Sequence, residues 1–115
     1  MRLWNMLKEV TRQQILDAFD EIVLVEALPQ AHYDREHLPG AVRLDGRPTL
    51  DEALAVLPDL DAHIVVYCSG IGCTRSEVTA RTLLTLGYQD VAVYRGGKTE
   101  WLDSGLVLEA ASEAS

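Results

Sequence analysis

Short apolar runs recur along the chain at residues 21–28 (EIVLVEAL), 63–68 (HIVVYC) and 91–96 (VAVYRG). They are rich in β-branched residues and too brief for a globular helix, which predicts strands buried on both faces. A further short strand is expected around Val42, Arg43 and Leu44. The stretches between carry helix signals. Thr11 and Gln14 have capping-box spacing, with Val10 and Ile15 placed as a hydrophobic staple, so a helix should run to about Phe19. Thr49 pairs with Glu52 in the same way, and that helix must stop at Pro58. Thr74 with Glu77 forms a third capping box, and Gly87 is placed to end the helix. GKTEWLDSG (residues 97–105) reads as a short helix closed by Gly105. In residues 29–44, Pro29 and the pair Pro39-Gly40 mark turns. Strands alternating with helices predict a three-layer α/β domain with a mostly parallel sheet. No repeat, linker or low-complexity block appears. Residues 1–115 read as one domain, with EAASEAS a frayed tail from about residue 110.

Composition narrows the partners. The chain has 115 residues and a formal net charge of −8. That charge argues against nucleic acid or an anionic membrane surface as partner, because both select a basic footprint. The opening MRLWNMLKEV lacks the apolar run and cleavage site of a signal peptide, and no stretch is long and apolar enough to span a bilayer. Two cysteines are too few for a disulfide scaffold. The expectation is a cytoplasmic protein with reduced thiols.

The candidate chemistry lies between residues 63 and 88. Cys68 ends a predicted strand, and sites in open α/β sheets form at that carboxyl edge. The loop Ser69, Gly70, Ile71, Gly72, Cys73 leads to Thr74 and Arg75, where a helix begins. First-turn N–H groups then point back at Cys68, with the positive end of the helix dipole behind them. Gly70 and Gly72 allow a sharp turn that aims further amides inward, an anion nest. Such a cradle favours a thiolate, a persulfide anion or a bound oxyanion, and Arg75 is the one cation close by. The same residues also fit inert packing. Strand-end cysteines are often simply buried, and Cys73 fits a small apolar residue tucked before a helix.

Three stretches together resemble the rhodanese-like domain family. IVVYC followed by a loop and an RS helix is similar to its active-site segment, and HLPGAVRL to its His-Ile-Pro-Gly-Ala signature. GYQDVAVYRGGKTEWLDSGLVLE is similar to its closing segment, and the three fall in the family's order over nearly the whole chain. The resemblance implies a five-stranded parallel sheet flanked by helices. It implies further that Cys68 accepts sulfane sulfur as a persulfide and passes it to a nucleophile. Two features depart from the pattern. Six residues separate Cys68 from Arg75, more than in the sulfurtransferases or in the related phosphatases and arsenate reductases. The family's Asp-x-Arg after the first core strand is here Glu26-Ala27-Leu28.

The expected function is sulfur transfer from a donor such as thiosulfate to a thiol or cyanide, with Cys68 as nucleophile and residues 69–75 as the substrate-binding loop. Cys73 is a candidate resolving partner, since the loop ends can approach disulfide distance. No cofactor is called for. The partner is a small sulfane-sulfur donor or a persulfide-bearing protein. The alternatives are a non-catalytic module that binds a partner or senses redox state, and an oxyanion enzyme of the phosphatase or arsenate reductase kind. His37 is assigned an architectural role from the family motif, and His32 and His63 lie near element ends. Cys-x4-Cys without a second pair is no metal-ligand set. Trp101 reads as a core anchor, whereas Leu3 and Trp4 lie outside the core pattern, packed on the domain or marking an interface.

Overall fold

The computed structural model describes residues 7–110; Leu3, Trp4 and residues 111–115 of the tail lie outside them. Five strands form one sheet: β1 Lys8–Glu9, β2 Val23–Glu26, β3 Val42–Arg43, β4 His63–Tyr67 and β5 Asp90–Tyr94. Their order is β1-β5-β4-β2-β3 and every pairing is parallel, so the sheet is wholly rather than mostly parallel. The helices are α1 Arg12–Asp17, α2 Gln30–Arg35, α3 Leu50–Val56, α4 Arg75–Leu86 and α5 Gly97–Asp103. Among the described residues no helix is long and apolar enough to cross a membrane.

Alternation along the central strands builds two cores. Ile64 and Val66 of β4, with Val25, Val91 and Val93, pack on Ala53 and Leu57 of the α3 segment and on Ala80 and Leu83 of α4. Val65 and Tyr67 face the other way, onto Ile15 of α1, Trp101 of α5 and Leu38. Helices on both faces of a parallel sheet are what strands apolar throughout require. Trp101 is a core anchor, as expected, with its indole N–H donating to the Val107 carbonyl at 2.9 Å.

The first two capping boxes form as expected. Thr11 and Thr49 have extended backbone (ψ 165° and 167°), and each exchanges side-chain and backbone bonds with Gln14 or Glu52. The third does not. Thr74 sits at φ −100°, ψ 0°, already helical, so its hydroxyl does not reach the Glu77 N–H. Glu77 turns instead to Arg81 and Arg95. Gly87, at φ +111°, ends α4 as expected. The start of the predicted first strand is a 3₁₀ turn at Phe19–Glu21. Strand β1 and helix α2 lie where the pattern gave no element. At the far end of β4 from Cys68, the Asp90 carboxyl takes hydrogen bonds from Lys8 and from His63, which hold it below its ordinary range.

Candidate active site

Strand β4 is central, and Cys68 follows it directly. The chain leaves β2 toward β3 on one side and leaves β4 toward β5 on the other, so the crossovers diverge above these strand ends. That divergence is where α/β folds place their sites. The Cys68 residue is only 2% exposed. Its Sγ lies 3.4 Å from the Ser76 hydroxyl and 3.5 Å from the Cys73 carbonyl oxygen.

Cys68 and Cys73 are joined as a disulfide, with their Cα atoms 6.5 Å apart. The expectation of reduced thiols is therefore not met in this state. The loop folds back far enough to allow the bond because the Cys73 N–H donates to the Gly70 carbonyl at 3.1 Å and Gly72 takes φ +96°. Gly70, unlike Gly72, is not in the left-handed region. Its small size serves packing instead, since an added Cβ would stand 3.1 Å from the Thr99 hydroxyl oxygen.

Helix α5 clamps the start of the loop. The Lys98 N–H donates to the Cys68 carbonyl (3.2 Å), and the Thr99 N–H (2.9 Å) and hydroxyl (3.0 Å) both donate to the Ser69 carbonyl. Gly97 permits this approach. At φ +59°, an added Cβ would lie 2.4 Å from the Cys68 carbonyl oxygen and 2.7 Å from the Gly70 nitrogen. Gly97→Ala is expected to cost at least about 2 kcal/mol, from left-handed strain and backbone overlap together. A thermal melt reads this as a loss on the order of 10 °C; an unchanged melt would show that the clamp is not rigid.

The positive potential at the loop comes from backbone. The first bond inside α4 is Val78 N–H to the Thr74 carbonyl, 3.2 Å, so the N–H groups of Arg75, Ser76 and Glu77 have no intrahelical acceptor. No side chain caps them. Arg75, expected as the local cation, is engaged elsewhere: its Nη2 lies 2.6 Å and its Nε 3.3 Å from the Asp45 carboxylate oxygens. That hydrogen-bonded pairing raises the Arg75 pKa and offsets its charge. Ser69, Gly70 and Ile71 line a groove with Gly96, Thr99, Glu100 and Asp103, which brings two carboxylates beside the loop, although Cys68 itself does not line it. Ile71 stands at the loop tip, 88% exposed. A second groove runs between α1 and the β1 edge, but neither cysteine lines it.

Below the loop lies a buried polar group. The Glu26 carboxylate, 0% exposed, accepts from the Tyr67 hydroxyl at 2.8 Å, and Lys98 Nζ lies 2.9 Å from its other oxygen. The ammonium is close enough for an ion pair, although its angle makes no hydrogen bond to that oxygen. Tyr67 also accepts from the Leu38 N–H at 2.9 Å. Burial first, and the Glu26 charge second, push the Tyr67 pKa far up, so the hydroxyl stays a donor. The HLPG stretch thus supports the strand that carries Cys68. His37 is buried, with its ring stacked on Tyr33 and Nδ1 2.8 Å from the Tyr33 carbonyl oxygen. Among the described residues, no group of three or more His, Cys, Asp or Glu could hold a metal ion.

Ser76, Gly97, Thr99 and Lys98 were not singled out from the sequence. The RS pair and the Gly-Gly pair signalled two of them. The acid inside EIVLVEAL signalled a buried partner for Glu26 but not its identity.

The site is thus a cysteine at the carboxyl end of a central parallel strand of an α/β domain, facing a helix start across a short loop. The model for the Rhodanese-like domain matches residues 4–104, and the chain belongs to that family. It is 28% identical over 102 residues to the HTH-type transcriptional regulator Rv0324 of Mycobacterium tuberculosis, covering 87% of this chain and 44% of that one. It is 32% identical over 87 residues to the adenylyltransferase and sulfurtransferase UBA4 of Candida albicans, covering 70% of this chain and 19% of that one. The chain thus spans less than half the length of these curated relatives. Among solved structures, a thiosulfate sulfurtransferase from Pseudomonas aeruginosa superposes with a TM-score of 0.70 at 26% identity, covering 91% of this chain and 20% of that one.

Proposed function

We propose that the reduced protein is a sulfurtransferase in which Cys68 carries the transferred sulfur as a persulfide. The observation that supports this most is the placing of the Cys68 sulfur, buried at a strand end beside the uncapped start of α4. There the open N–H groups and the Ser76 hydroxyl favour a thiolate, the nucleophilic form. The thiolate attacks the sulfane sulfur of a donor, the donor leaves as an anion, and an acceptor thiol or cyanide then removes the outer sulfur. Glu100 and Asp103 beside the loop disfavour a free dianion, and the Arg75–Asp45 pair offers it no free cation. A sulfur delivered on a thiol, such as a protein persulfide, fits this mouth better than thiosulfate, which remains a usable probe at high concentration. The same carboxylates, and the pairing of Arg75 with Asp45, count against a phosphatase or arsenate reductase.

The disulfide favours a second reading, a redox-responsive module acting on an attached or associated protein. The similarity to Rv0324, a transcriptional regulator, agrees with such a use. Intact mass after thiosulfate treatment of the reduced Cys73→Ser protein, which cannot close the disulfide, tests the first reading. One sulfur acquired and then removed by cyanide supports transfer; no uptake and no cyanide product favours the module.

Ser76→Ala checks the electrostatic part. A hydrogen bond to a charged group contributes about 1.5–3 kcal/mol. Alkylation of reduced Cys68 at neutral pH should slow about ten-fold in this variant, read by mass-resolved labelling. An unchanged rate would leave the backbone amides as the whole source of activation.

A further inference from the structure

We propose that Cys73 resolves the persulfide on Cys68, so that the protein reduces sulfane sulfur to inorganic sulfide by closing its own disulfide. This rests on Cys68 as the persulfide carrier and names what supplies the electrons that reduce the sulfane sulfur: the chain's own pair of thiols rather than an external reductant.

The two sulfurs are bonded in the structure, and the 6.5 Å between Cα atoms lies inside the range that disulfides use. Three backbone features hold the loop in this fold: the Cys73 N–H to Gly70 carbonyl bond, the left-handed Gly72, and the α5 clamp on the Cys68 and Ser69 carbonyls. In this closed loop Cys68 is almost wholly buried, with the Cys73 sulfur directly against its Sγ. Cys73 needs no approach, because the tether already presents its sulfur. An oriented intramolecular nucleophile outcompetes a dissolved one of the same kind. Cys73 is also the residue next to Thr74 at the start of α4, so the dipole that favours the Cys68 thiolate acts on it as well.

The chemistry balances without a further redox partner in the single turnover. The Cys68 thiolate displaces sulfite from thiosulfate, forming the Cys68 Sγ–S bond and breaking the S–S bond of the donor. The Cys73 thiolate then attacks Cys68 Sγ of the persulfide, which is protonated on its outer sulfur. The Sγ–Sγ bond forms, the outer S–S bond breaks, and the bonding pair leaves with the sulfur as hydrosulfide. The two cysteine sulfurs are oxidised together by two electrons, and the sulfane sulfur is reduced by two. In sum, a dithiol and thiosulfate give a disulfide, hydrosulfide and hydrogen sulfite. A dithiol reductant, small or protein-borne, resets the pair for the next cycle.

The test uses the fully reduced chain, freed of reductant and kept anaerobic, mixed with thiosulfate. Sulfide is measured colorimetrically and the protein by intact mass and peptide mapping. The parent should release one equivalent of sulfide per chain and end at the mass of the dithiol less two hydrogens, with Cys68 linked to Cys73. Cys73→Ser should release at least ten-fold less sulfide and hold one added sulfur on Cys68 until cyanide or a thiol is supplied. Cys73→Ala provides the same comparison with a different side chain in the loop. Should the parent instead hold the added sulfur and release no sulfide, the resolving role is overturned while the persulfide reading stands. Should parent and variants alike take up no sulfur and yield no sulfide, the persulfide reading falls, and the resolving role with it.

Discussion

Cys68→Ser is expected to lower sulfur uptake from thiosulfate by on the order of a thousand-fold or more. The serine hydroxyl occupies nearly the same volume at the end of β4, and the Ser76 hydroxyl and the first amides of α4 remain in place. What is lost is the thiolate, because a cradle that favours a thiolate does not deprotonate a far less acidic hydroxyl to a useful degree. The comparison belongs between reduced proteins, since the variant cannot form the Cys68–Cys73 bond and would otherwise differ in loop restraint. Arg75→Ala should have a far smaller effect, because its guanidinium is committed to Asp45. Uptake retained by Cys68→Ser and abolished in Cys73→Ser would move the nucleophile to the other end of the loop. A large loss on removing Arg75 would mean that the pairing with Asp45 opens when substrate binds.

The strands and the place of Cys68 at a strand end were legible because they rest on local pattern. A β-branched run ended by a cysteine, then glycines, then a helix, points to a strand-end loop whatever the rest of the chain does. What the sequence concealed depends on contacts distant along the chain. The Thr74–Glu77 spacing satisfies the capping-box rule, yet the rule presumes extended backbone at the cap. Here the loop's own turn delivers Thr74 already coiled, and the failed cap leaves donors open beside Cys68. Arg75 lies close to the loop in sequence, but Asp45, thirty positions away, claims its charge. The short β1 carries no pattern because its two residues are exposed and pair only along the sheet edge. Helix α2 contains no buried residue, so no apolar stripe announces it. Glu26 is the reverse case. A carboxylate in the middle of an apolar run signals a buried partner, but only the fold shows that Lys98 arrives from the opposite end of the domain.

That pair carries the second large expectation. Lys98→Met keeps most of the side-chain volume and removes the ammonium that faces Glu26. The carboxylate, wholly buried, would then hold its charge with the Tyr67 hydroxyl as its remaining donor. Removing one partner of a buried pair costs about 3–5 kcal/mol, since the other is left as an uncompensated charge. Glu26→Gln should cost less. The amide still accepts from Tyr67, and the Lys98 side chain, 14% exposed and donating also to the His32 carbonyl at 3.1 Å, has a way to solvent. The double change Glu26→Leu with Lys98→Met should recover much of the single Lys98→Met loss, because well-packed apolar replacements avoid the desolvation of both charges. Denaturant titration of the parent, Lys98→Met, Glu26→Leu and the double variant gives the coupling. Losses that simply add would show that Lys98 and Glu26 are neighbours without a shared stake in the fold. A strong coupling would place their ion pair among the supports of the loop, because the Lys98 backbone N–H holds the Cys68 carbonyl. In that case the Lys98→Met variant should also alkylate differently at Cys68 once reduced, even at temperatures where it stays folded, because the clamp and the ion pair are two ends of one residue.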